Sequence, residues 1–138
     1  MMLAPRRTAA LVVVLAALLV AFPLTACGTD APAVCSSVDE LSASIDHLGK
    51  VQLGETGRAE LESQLAAVRA DLAQVRTDAQ EQFGDQVAAV TAAADIVRER
   101  YQGAKAEPSA STLQPLRTAI ANLGSEARAL QDAVAGTC

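Results

Sequence analysis

The chain has 138 residues, 51% of them hydrophobic but only 2% aromatic, with no Trp and a formal net charge of -5. That length holds one small domain, and with 20% charged residues the composition is too apolar for a disordered chain. An Ala-rich, aromatic-poor composition suits packed helices better than a sheet, so an all-α fold is expected.

The first 27 residues read as an address. Arg6 and Arg7 precede an unbroken apolar run from Ala9 to Phe22, followed by Pro23 and Leu24-Thr25-Ala26-Cys27. A charged start, an apolar run too short for a comfortable membrane span and a small-residue end are the parts of a secretory signal. The final tetrapeptide resembles a bacterial lipobox, in which the Cys thiol receives a diacylglycerol and the chain is cut before it. On this reading residues 1–26 are a lipoprotein signal peptide, Cys27 carries the lipid and residues 27–34 form a short tether. The bland alternative is an ordinary secretion signal cut near Ala26. Either way the domain is expected outside the cytoplasm, and with the lipid it sits on a cell membrane facing the envelope.

All 16 acidic residues follow Cys27, whereas two of the 11 basic ones precede it, leaving nine against 16, or -7. Such a domain gains nothing from counterion release on nucleic acid and is repelled by anionic headgroups. Its expected membrane contact is the lipid alone.

With Cys27 assigned to lipid, Cys35 and Cys138 frame everything that looks structured. In an exported chain such a pair reads as a disulfide. Free thiols, an intermolecular bond and a metal site are the other readings; a metal is disfavoured by a single His and the lack of a C-x-x-C motif.

Between these cysteines, residues 35–138, the pattern is helical. Ser36 and Ser37 offer N-caps, Glu40 completes a capping-box pattern with Ser37, and Val38, Leu41, Ile45 and Leu48 form a stripe, giving a helix over 36–48 closed by Gly49. After a turn containing Gly54 and Gly57, a second stripe runs from Leu61 to Tyr101 at about 3.6 residues per step. Gly84 is its only breaker. A third, from Leu113 to Val134, repeats in steps of three and four as a heptad seam, with Thr112 as expected N-cap, Pro115 in the first turn and Gly136 as the stop.

Two architectures satisfy both the stripes and the terminal cysteines. The preferred one is an antiparallel, coiled-coil-like helical hairpin built on one long central helix over 57–104, about 70 Å long. The alternative is a compact four-helix up-down bundle in which the chain reverses at Gly84.

From Cys35 onward the chain resembles a set of small secreted helical lipoproteins of actinobacteria with no established activity. The residues carrying this are Cys-Ser-Ser-Val-Asp-Glu-Leu at 35–41, Phe-Gly-Asp-Gln-Val at 83–87, Pro-Ser-Ala-Ser-Thr-Leu at 108–113 and Cys138. The resemblance implies a helical domain with a terminal disulfide and transfers no catalytic residue.

Little reaction chemistry is legible. His47 is the only imidazole and falls off its helix stripe, so it reads as a surface residue. Asp95 and Glu99 share a helix face at i, i+4, but Arg98 and Arg100 flank them, which reads as a solvated charged face. Phe83 and Tyr101 read as core or seam residues. No catalytic residue, metal ligand or cofactor is expected, and the ligand-binding residues are not legible. The expectation is a non-enzymatic, lipid-anchored structural or protein-interaction module, with a protein partner or self-association. A carrier of an apolar ligand inside a helical bundle is the alternative.

Overall fold

The computed structural model describes residues 32–79 and 81–138. The signal peptide, the Cys27 lipidation site and most of the tether lie outside the described residues. The described chain is all-α: α1 (Ala33–Lys50), α2 (Arg58–Ala79), α3 (Gly84–Ala106) and α4 (Ala110–Ala135). There is no strand among the described residues.

The stripes read from sequence are the buried faces. Val38, Leu41, Ile45 and Leu48 are buried on α1; Leu61, Val68, Leu72 and Val75 on α2; Val87, Val90 and Val97 on α3; Leu116, Ile120, Leu123, Leu130 and Val134 on α4. Together they form one apolar cluster drawn from all four helices. α1 packs on α2 and α4, and α3 packs on α4, whereas α2 meets α3 only sparsely.

The single central helix over 57–104 is not formed. α2 stops at Ala79 and α3 begins at Gly84. Phe83, the residue before α3, has φ -123° and ψ 32°, outside the helical region, while its N–H bonds the Ala79 carbonyl at 2.8 Å and its own carbonyl accepts from Val87 at 2.9 Å. The connection is thus about one helical turn long, so the apolar repeat keeps its phase across it. Phe83 is buried, 8% exposed, and anchors the turn in the core. A hydrophobic stripe reports which face is buried, not the direction of the chain.

Two helix starts also differ from expectation. α1 begins at Ala33 behind Pro32, with no side-chain cap, and Ser37 is buried inside the helix with its hydroxyl donating to the Val34 carbonyl. Gly49 lies within α1, which ends at Lys50 with Val51 as its C-cap. α4 is capped by Ser109 rather than Thr112: Thr112 occupies the third helical position and its hydroxyl accepts from the Ser109 N–H at 3.0 Å, a capping box with Thr in place of Glu. Pro115 therefore sits inside the helix, past the first turn, and removes one intrahelical donor on an exposed face. Gly136 is the C-cap, as the sequence predicts.

Cys35 and Cys138 are joined by a disulfide with Cα atoms 5.8 Å apart, which ties the first turn of α1 to the end of the chain after α4. The Gln82 side-chain amide donates to Thr137 Oγ1 at 3.5 Å, so the α2–α3 turn lies at this same end. The Ser44 hydroxyl donates to the Asp71 carboxylate and links α1 to α2.

Candidate functional site

The sparse α2–α3 contact leaves a groove of about 580 Å³ along that seam. Its lining reaches from Arg76 and Thr91, towards the disulfide end, to Glu62 and Lys105. The 14-residue span from Glu62 to Arg76 corresponds to about 21 Å along α2. The floor is apolar: Val68 and Leu72 from α2, Val97 from α3, and Leu123 from α4, the last fully buried. Leu65 and Ala94, both half-buried, form its walls. An antiparallel helix pair with a continuous seam would close over such a floor. Here small residues, Ala66 and Ala73 on α2 and Ala94 on α3, leave the space between the two backbones unfilled.

The rim carries charge of the opposite sign to the domain. Arg69, Arg76, Arg98 and Lys105 line the groove against only Glu62 and Asp95. Four of the nine basic side chains that follow Cys27 are therefore collected here, against two of the 16 acids. Arg98 reaches Asp95 at 3.3 Å and Lys105 reaches Glu62 at 2.8 Å. Arg69 and Arg76 make no ion pair among the described residues. Arg69 and Arg98 stand on opposite walls, and both also line the shallow depression on the outer side of the groove, together with Asp95 and Glu99.

One end of the seam is closed by a polar cluster. The Tyr101 hydroxyl and the Lys105 ammonium both donate to Glu62 Oε1. The Lys105 and Tyr101 bonds hold the Glu62 carboxyl below the usual carboxylate range. Burial, reinforced by the bond to Glu62, pushes the Tyr101 phenol up to about 12. Lys105 Nζ also lies 5.9 Å from the Tyr101 ring centre, within cation–π range.

A second groove, of about 660 Å³, lies between the end of α1 and α4, where Gly124 approaches Ile45. Its lining is more mixed, with Asp46, Arg117 and Arg128 among Ile45, Leu48 and Ile120.

The residues singled out from sequence are distributed over the fold. Cys35 and Cys138 come together as the disulfide. His47 is exposed in the last turn of α1 and Phe83 is in the core. Asp95 and Glu99 engage Arg98 and Arg100 at 3.3 and 3.9 Å, as a solvated charged face. Among the described residues no cluster of His, Cys, Asp and Glu is arranged to hold a metal ion, and no helix is long and apolar enough to cross a membrane. Tyr101 is a seam residue, as expected, but its place on the groove was not foreseen, nor were the roles of Arg69, Arg76 and Arg98. The signal was present in the sequence as Arg69 and Arg76 at a seven-residue spacing beside the α2 stripe. The chain matches no protein-family model, no curated protein and no solved structure.

Proposed function

We propose that the protein is a lipid-anchored envelope module with the architecture of a four-helix up-and-down bundle, and that it binds an apolar ligand in the α2–α3 groove without catalysing a reaction. The observation carrying this is the open seam itself: an apolar floor reaching Leu123 on the far helix lies beneath a gap of about 580 Å³, within the range of small-molecule sites. The contacts of α1 with α2 and α4, and of α3 with α4, support the bundle and leave α2–α3 as its one loose edge. The chain that follows Cys27 joins the domain at the disulfide end, where α1 starts and towards which the Arg76 end of the groove lies.

Two measurements test the reading. Membrane fractionation of the wild type beside Cys27→Ala is expected to move the protein from the membrane to the soluble fraction. Native mass spectrometry of the full chain carrying Cys27→Ala, purified without detergent, is expected to show a bound apolar molecule at about one per chain. Identical soluble partitioning of both forms contradicts the anchor. Consistently ligand-free protein that also takes up no apolar probe contradicts the carrier.

A protein-interaction reading rests on a different observation. Ile96, 48% exposed, is the one large exposed hydrophobic side chain among the described residues, and it stands on the outer α3–α4 surface beside Ala89, Ala92 and Ala119. Loss of self-association in Ile96→Glu is its test.

A further inference from the structure

Resting on the carrier reading, we propose that the ligand is a single-chain anionic amphiphile, a long-chain carboxylate, with its apolar chain along the groove floor and its head held between Arg69 and Arg98. The argument is charge complementarity. A domain of net charge -7 after Cys27 has a groove lining of net charge +2, from four basic and two acidic side chains. Beyond the Lys105–Glu62 and Arg98–Asp95 pairs, this lining keeps an excess of positive charge along an apolar floor, which lowers the energy of an anion at that one place.

Geometry narrows the ligand class. Arg69 on α2 and Arg98 on α3 line both the groove and the outer depression above it, the latter together with Asp95 and Glu99, so an oxyanion there meets a guanidinium group from each wall. Guanidinium forks bind carboxylates through paired, charge-assisted hydrogen bonds. Arg69 is free of ion pairs among the described residues, and the Arg98–Asp95 pair at 3.3 Å is exposed on both sides, so redirecting Arg98 to a ligand costs little. Arg69 and Arg98 each stand seven residues from either end of the lining on their helix, so the head sits at mid-groove and the chain follows the half of the floor that passes Leu72 towards Arg76, about 10 Å, while the volume of about 580 Å³ suits one acyl chain rather than the paired chains of a membrane phospholipid. At the far end the Lys105 ammonium is already taken up by the Glu62 carboxylate, whereas Arg69, beside Asp95 and Glu99 in the outer depression, makes no ion pair among the described residues and so is the group left to receive the head.

The test is calorimetric titration of the full chain carrying Cys27→Ala with a long-chain fatty carboxylate and with the fatty alcohol of the same length, both below their micelle thresholds. The carboxylate is expected to bind about tenfold or more tightly than the alcohol, and Arg69→Gln/Arg98→Gln is expected to erase that preference while Arg69→Lys/Arg98→Lys keeps part of it. Both arginines are exposed, so the ligand-free Tm of each variant is expected to match the parent and serves as the folding control. Equal binding of carboxylate and alcohol overturns the anionic ligand while leaving the carrier reading intact. Binding of neither overturns both. Binding only to vesicles of a two-chain anionic phospholipid overturns the single-chain ligand.

Discussion

The Tyr101 hydroxyl and the Lys105 ammonium converge on one oxygen, Glu62 Oε1, and so cross-link the start of α2 to the last turns of α3, the most sparsely packed pair of neighbouring helices. Tyr101 is the only tyrosine and the chain has no Trp, so its ionisation is directly visible in near-ultraviolet absorbance. Spectrophotometric titration is expected to place the phenol at about 12, and Glu62→Gln to bring it part of the way towards 10, burial holding the remainder. The phenol keeps its proton longer in the folded chain than in the unfolded one. Its contribution to stability is therefore complete below pH 10 and is lost as the pH rises towards 12. Glu62 works in the opposite sense, since its folded carboxyl is depressed: its contribution is present above the ordinary carboxyl value of 4.5 and fades as the pH falls below it. A phenol titrating near 10 in the wild type would show that the cross-link is absent in solution.

The disulfide closes a loop with a sequence separation of 103 residues. Loop-closure entropy for such a span amounts to about 4.7 kcal/mol, with about 2–5 kcal/mol the usual measured loss on removing a native bond from a small exported domain. Cys35→Ala/Cys138→Ala is expected to lower the urea midpoint by a corresponding amount. Non-reducing digestion of the wild type is expected to release the two cysteines in one linked peptide. Recovery of both as free thiols from alkylated cells would contradict the bond.

Glycine positions separate close approach from mere tolerance. A Cβ at Gly57 would stand 1.8 Å from the Gln52 carbonyl oxygen, a backbone atom that cannot step aside without moving the α1–α2 turn. Gly57→Ala is expected to destabilise by about 1–3 kcal/mol. Gly103, exposed within α3, has nothing within 4 Å of the same position, so Gly103→Ala is expected to stabilise by about 0.5–1 kcal/mol. Thermal denaturation of the two variants should shift in opposite directions.

Leu123 on α4 is both a core residue and part of the groove floor, fully buried. Leu123→Ala is expected to cost about 2–5 kcal/mol by deleting buried methyl groups and leaving a cavity. Leu116, equally buried but outside the groove, serves as the comparison. Both variants should lose stability by chemical denaturation, and only Leu123→Ala should alter uptake of an apolar probe.

The helical class, the buried stripes and the pairing of Cys35 with Cys138 were legible because each follows from local periodicity or simple counting. Leu61 through Tyr101 gave the buried face of two helices correctly and their connectivity incorrectly, since the Phe83 N–H bonding the Ala79 carbonyl keeps the phase between α2 and α3, and the sequence between them contains neither Pro nor Asn-Gly. The Ser109 cap was hidden by three closely spaced candidates, Ser109, Ser111 and Thr112, of which only the tertiary start of the helix selects one. The groove was not legible at all. It arises from how far α2 and α3 stand apart, a relation between helices that no single-helix pattern encodes, and the clustering of Arg69, Arg76 and Arg98 is visible only once those helices are set side by side.

The central claim, that the α2–α3 seam holds an acyl chain, can be tested by exploiting the absence of native Trp. A single reporter is introduced either at Ala73, exposed on the wall of this groove, or at Ala121, exposed in the α1–α4 groove, and titrated with a bromine-labelled long-chain carboxylate that quenches indole fluorescence on contact. Saturable quenching of Ala73→Trp with Ala121→Trp unaffected is the predicted result. Quenching confined to Ala121→Trp, or equal and non-saturating quenching of both, would contradict it.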